Sequence, residues 1–184
     1  MGDWQKVPVP FFVFRSGPMT EVIKTERLVL RRFRREDSSR LVTLLNDLDV
    51  VRWLTVVPHP YEAAHATDFV DAMAAKHDAF AITREENVIG CISTGSQLGY
   101  WVAKASWGRG YVTEASRAMI SRFFRSDRQE LTSGYHMGNE RSKAVLSKLG
   151  FKPGGRHRAT ARSTNEDVTI QDVLLRRADW KAMQ

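Results

Sequence analysis

Two short stretches of this 184-residue chain combine residue types and spacings that could do chemistry. In the first, SWGRGYVTEA over residues 106–115, two glycines flank Arg109 and a helical pattern follows at once. The first four amides of a helix lack internal acceptors, and the helix dipole leaves that end positive. A Gly-x-Gly turn lets such amides converge on an anion, because no Cβ keeps the backbone away. Arg109 adds a positive charge, so the chemistry would be phosphate binding; a plain chain reversal would use the same residues. Two familiar phosphate motifs do not fit. A P-loop needs Lys-Ser/Thr after its last glycine, where Tyr111 and Val112 stand. A dinucleotide fingerprint wants a third small residue where Thr113 stands, and an acid ending a strand that closes instead on Tyr135-His136.

The second stretch is GYHMGNERSKAVLSKLGF, in which Asn139 and Ser142 lie three apart at an expected helix start and share a face. Taken alone, Asn139 is a good N-cap and Ser142 an ordinary first-turn residue. Few other groups compete. The one cysteine, Cys91, sits in an apolar strand-like run and reads as a buried thiol rather than a nucleophile. His136 and Asp172 read as structural, and His59, His65 and His77 as surface residues. No His, Cys, Asp or Glu cluster has metal-ligand spacing, so no metal is expected.

The elements that must position these residues follow from the patterning. Residues 25–33 (TERLVLRRF) alternate as a strand, 36–48 and 61–76 carry helical stripes, and 79–84 and 88–94 are strands across a polar turn. A strand at 98–102 leads into the glycine loop and a helix to about residue 124. A strand at 130–136, a helix at 139–149 closed by Gly150, and strands at 155–161 and 168–175 complete the chain. The order predicts one α+β domain over 21–184 around a central sheet, preceded by a proline- and glycine-broken extension at 1–20. Deleting residues 1–18 is expected to preserve melting temperature and ligand binding. A loss of several degrees in a thermal melt would show that Phe11, Phe12 and Phe14 pack on the domain.

Composition narrows the setting. No apolar run approaches the ~18 residues of a membrane helix, and one cysteine fits a reducing, cytoplasmic compartment. The net charge of +7 favours anionic partners, but its basic residues are scattered and lack the interleaved aromatics of a base-stacking surface. Neither a membrane nor a specific nucleic acid is expected as partner, and the chain would be a monomer or homodimer.

Taken together, residues 25–180 resemble the GCN5-related N-acetyltransferase (GNAT) superfamily, most of all its ribosomal-protein N-terminal (alanine/serine) acetyltransferase branch. TERLVLRRF resembles the opening strand, WGRGYVTEA the pyrophosphate loop, and Asn139-Glu-Arg-Ser142 with VLSKLGF the pantetheine-facing helix. The resemblance implies a mostly antiparallel seven-stranded sheet, splayed between strands four and five and flanked by about four helices. It implies acetyl-coenzyme A as co-substrate, with Tyr100, Trp101, Val102 and Ala103 pairing the pantetheine arm. The amides of Gly108, Arg109, Gly110, Tyr111, Val112 and Thr113 would hold the pyrophosphate. Asn139 would reach the pantetheine amides, and Ser142 would protonate the leaving sulfur. Backbone N–H groups around Val102 and Ala103 would form the oxyanion site.

The chain departs from the family at three places: Ala105 precedes the loop, Ala161 stands where relatives can carry a basic glutamate, and Thr169 where an aspartate is common. An α-amine titrates near ~7.7–8.0, against ~10.4 for lysine, so an acceptor of that kind needs no strong base. The expected activity is acetyl transfer to a protein N-terminal α-amine. The alternatives are a small amine such as an aminoglycoside, polyamine or amino acid, or a non-catalytic module binding RNA or the ribosome. Trp53, Leu54, Val56 and Val57, between the first two helices, would line an acceptor pocket or fill the core.

Overall fold

A computed structural model describes residues 21–74 and 79–184. The expected extension at 1–20, the end of the helix expected over 61–76, and His77 lie outside the described residues. The elements run Ile23–Lys24 (β1), Val29–Arg31 (β2), Ser38–Leu45 (α1), Leu48–Val51 (α2), Ala63–Ala74 (α3), Ala79–Arg84 (β3), Asn87–Thr94 (β4) and Leu98–Val102 (β5). Tyr111–Phe123 (α4), Glu130–His136 (β6), Glu140–Lys148 (α5), Lys152–Ala161 (β7), Glu166–Arg176 (β8) and Arg177–Ala182 (α6) follow.

The strands form one sheet in the order β1-β2-β3-β4-β5-β6-β8-β7, antiparallel except where β5 meets β6. The expected α+β class holds, with eight strands in place of seven and six helices in place of about four. The extra strand, β1, lies just before the run at 25–33: Thr25 Oγ1 accepts the Leu28 N–H at 3.1 Å in a turn that folds Ile23–Lys24 back onto β2, which keeps only residues 29–31 of that run. The helix expected over 36–48 is also divided, because Asp47 accepts the Asp49 N–H at 3.0 Å and caps a new helix, α2. The six-residue α6 has no capping side chain; buried Trp180 holds it.

Two apolar layers enclose the sheet. Phe80, Ile82, Ile92, Leu98 and Val102 pack beneath Ala115, Met119 and Ile120 of α4 and Leu146 of α5. On the other face Ala81, Val88 and Cys91 pack beneath Leu41, Leu45, Tyr61 and Val70. Central strands covered twice read as nearly continuous apolar runs, as β3 and β4 do. Among the described residues no helix is long and apolar enough to cross a membrane.

The junction of β5 and β6 positions the site. Their parallel pairing holds only at Leu98 opposite Ser133, where Ser133 Oγ donates to Leu98 O at 2.8 Å. Beyond that point β5 stays with β4 and β6 with β8, so the sheet opens. With the short β1 left uncounted, this is the expected splay between the fourth and fifth strands.

Candidate active site

A cavity of about 820 Å³ runs through the splay. Its lining includes Trp101, Val102, Gly108, Gly110, Tyr111, Val112, Thr113, Asn139 and Ser142, which were expected to meet at one site. Arg109 and Ala103 are not in the lining.

Gly108 and Gly110 hold φ of 71° and 77°, a left-handed region that L side chains rarely adopt. The first bond of α4 runs from the Glu114 N–H to Gly110 O at 3.0 Å. Among the described residues, no backbone carbonyl takes the amides of Gly108 through Thr113. A Cβ on Gly108 would meet nothing within 4 Å, so the space beside the loop is open there. Arg109 turns back: its Nε donates to Ala105 O at 3.1 Å, which closes the loop instead of presenting that group to a phosphate. Arg141 and Lys148, which line the cavity from α5, supply positive charge there.

The edge of β5 divides its hydrogen bonds between two sides. Ala103 N–H donates to Ile89 O at 2.8 Å, and Gly90 stands opposite Val102. Antiparallel alternation then commits Trp101 to β4 at Cys91 and turns the N–H and C=O of Tyr100 and Val102 toward the gap. The Trp107 indole confirms the direction, donating to Val102 O at 3.0 Å. The oxyanion site expected around Val102 and Ala103 therefore narrows to the Val102 N–H.

Asn139 caps α5, its Oδ1 accepting the Ser142 N–H at 3.1 Å. Its amide NH2 is thereby directed away from the helix. Ser142 Oγ lies 2.8 Å from the Tyr100 hydroxyl, a contact across 42 residues that no local pattern announces. Burial pushes the Tyr100 phenol up to about 12 against the opposing pull of the Ser142 bond, so it stays protonated at neutral pH.

Across the sheet, Trp53, Leu54, Val56 and Val57 line the same cavity, and Leu54 and Val57 also pack on the second core layer. Thr55 Oγ1 lies 3.0 Å from His136 Nε2, and burial holds that imidazole below the ordinary histidine range, hence neutral. Cys91 is buried, as expected. His59 and His65, expected at the surface, are half-buried, and His65 Nδ1 accepts the Glu62 N–H at 3.0 Å at the start of α3.

The family model of the acetyltransferase (GNAT) domain matches this chain over residues 27–152. The chain belongs to the GNAT acetyltransferase family. It is 24% identical over 151 residues to an uncharacterized N-acetyltransferase, p20, of Bacillus licheniformis, covering 73% of this chain and 84% of that protein. The ribosomal L7/L12 α-N-protein acetyltransferase RimL has the same fold, with a TM-score of 0.72 and 17% identity over 89% of this chain and 98% of that one. So does the microcin C7 self-immunity acetyltransferase MccE, solved with acetyl-CoA and AMP, with a TM-score of 0.70 and 15% identity over 82% of this chain and 93% of that one. The protein is an acyltransferase, and the cradle fits acetyl-coenzyme A as its donor.

The acetyltransferase fixes its glycine loop from the turn between β1 and β2. Glu114, in the first turn of α4, accepts from Thr25 Oγ1 at 2.6 Å, from the Arg27 N–H at 2.8 Å and from Arg27 Nε at 2.7 Å. Arg27 Nη1 then donates to Arg109 O at 3.0 Å, inside the loop. Burial pushes the Glu114 carboxyl up, but these donors outweigh it and hold the group ionised below the usual range. Arg27→Ala is expected to weaken acetyl-coenzyme A binding about tenfold, the worth of roughly one charge-assisted hydrogen bond. Titration calorimetry reads this directly, and the acceptor KM should not change.

Proposed function

We propose that this acetyltransferase acetylates a protein N-terminal α-amine, with Ser142 as the acid for the leaving thiolate. The observation that carries this reading is the Tyr100–Ser142 contact, in the cavity that the free-amide cradle also lines. Acetyl-coenzyme A supplies the thioester. The cradle amides bind its phosphates, the Tyr100 and Val102 backbone groups align its arm, and the Val102 N–H faces the carbonyl oxygen where negative charge develops. With the protonated Tyr100 hydroxyl donating to Ser142 Oγ, the serine's own proton is free to move to sulfur. Ala161, at the end of β7, offers no carboxylate, which suits an α-amine better than a lysine. A cytoplasmic place, supported by the single cysteine, belongs to the same reading.

A thiol-release screen against peptides with free N-termini, amine metabolites and lysine side chains tests the acceptor. Fastest turnover with peptide N-termini supports the proposal; preference for aminoglycosides or polyamines would overturn it. Tyr100→Phe is expected to lower turnover about tenfold, the cost of one net hydrogen bond to the acid, with acetyl-coenzyme A affinity unchanged by titration.

A further inference from the structure

We infer that the acceptor binds against His157 and Asp172, that Asp172 holds its positive charge and His157 removes its proton, and that it is a monocationic primary amine bearing an apolar group. The inference rests on the acetyl-transfer reading above and adds a subsite and a substrate class to it.

Register brings the pair to the splay. Gly134 of β6 stands opposite Asp172 of β8, and both His136 and His157 stand opposite Ile170. Cross-strand partners share a face, so His136, Asp172 and His157 lie on one side of the sheet. That side is the one covered by Thr55 and Trp53, which meet His136. Tyr100, whose hydroxyl reaches Ser142, packs on the opposite layer with α4 and α5. One cavity joins the two faces through the gap, and His157, Asp172 and Ser142 all line it. Donor and acceptor can therefore approach from opposite faces.

His157 Nδ1 lies 3.1 and 3.2 Å from the two Asp172 oxygens, an arrangement that leaves Nε2 for substrate. Exposed pairs of this kind add little to stability. Gly134 puts no side chain over Asp172; a Cβ there would lie 3.8 Å from Oδ1. Neighbouring cations on β7 face other partners, Arg156 at Gln171 Oε1 and Arg158 at Asp167. Asp172 is also the one acidic side chain among the described residues lining the cavity. A polyamine or aminoglycoside, with several charges, would leave most of them unpaired there. Trp53, Val57, Phe69, Met73 and Trp101 instead offer apolar walls.

In the step itself, the ammonium gives one proton to His157 Nε2, and the freed lone pair forms the N–C bond as the C–S bond breaks. Ser142's proton goes to sulfur and is replaced through solvent by the nitrogen's second proton. An imidazole is a weak base, adequate for an α-amine and not for a lysine.

The test uses the full chain, with phenylalaninamide and spermidine as probes. In the presence of coenzyme A, Asp172→Asn should weaken phenylalaninamide binding about tenfold in calorimetry, as loss of a charged partner does, with coenzyme A affinity unchanged. His157→Ala should lower kcat roughly 10²-fold, and added imidazole should restore part of it, which a structural role would not allow. Wild-type-like binding and turnover in both variants, or tighter wild-type binding of spermidine, would overturn the inference. If phenylalaninamide behaves as expected while peptide N-termini are not acetylated, the subsite stands and the protein-acceptor reading falls.

Discussion

Ser142→Ala is expected to lower turnover by roughly 10²-fold or more, within the range for a positioned proton donor, and to leave acetyl-coenzyme A affinity almost unchanged. The donated proton matters only as sulfur gains negative charge, so the loss falls on the transition state and not on the bound ground state. The substitution spares the fold for identifiable reasons. Asn139 Oδ1 caps the backbone N–H of residue 142, a bond that alanine keeps. Alanine is also the best helix former. Melting temperature should therefore stay within a degree or two while thiol release collapses. Because Tyr100 acts through the serine hydroxyl at 2.8 Å, Tyr100→Phe should add little once Ser142 is gone; two residues that act as a unit are not additive. Undiminished turnover in Ser142→Ala would remove the serine from the mechanism.

What the sequence made legible was local. The strand at residues 98–102, the glycine loop, the helix after it and the Asn139 cap all follow from patterns within about a dozen residues, and the structure has them at or within a residue of the expected bounds. Where a local signal was overridden, another local hydrogen bond did it, as at Thr25 and Asp47. The contacts that convert these pieces into a site are long-range. Arg27 reaches Glu114 across 87 residues, Thr55 reaches His136 across 81, and Tyr100 reaches Ser142 across 42. The His157–Asp172 pair depends on register, which shifts in β7 between Pro153 and Arg156, so spacing alone could not place it. Arg109 shows the reverse case: its type suggested a phosphate ligand, and its Nε instead closes the loop on Ala105.

The second large effect belongs to Gly110. Gly110→Val is expected to weaken acetyl-coenzyme A binding by at least roughly 10²-fold, the worth of about two charge-assisted hydrogen bonds at ~1.5 kcal/mol each. Two causes act together. The residue holds φ of 77°, where a β-branched side chain is strained by roughly 1–3 kcal/mol, so the backbone that aims the amides must shift. A Cβ would already touch Arg27 Nη2 at 3.4 Å, so valine's two γ-methyls crowd the guanidinium that fixes the loop through Arg109 O and Glu114. Strain alone should lower the melting temperature by about 2–12 °C, at roughly 2–4 °C per kcal/mol for a chain of this size, so stability and affinity must be separated. Gly150→Ala does that. Gly150 holds φ of 86° at the far end of α5, outside the cavity lining, where a Cβ would meet the Met183 side chain. It should lose comparable stability and keep wild-type affinity. If both variants melt earlier and both bind acetyl-coenzyme A normally, the amides of the loop do not hold the phosphates, and the turn serves only to reverse the chain.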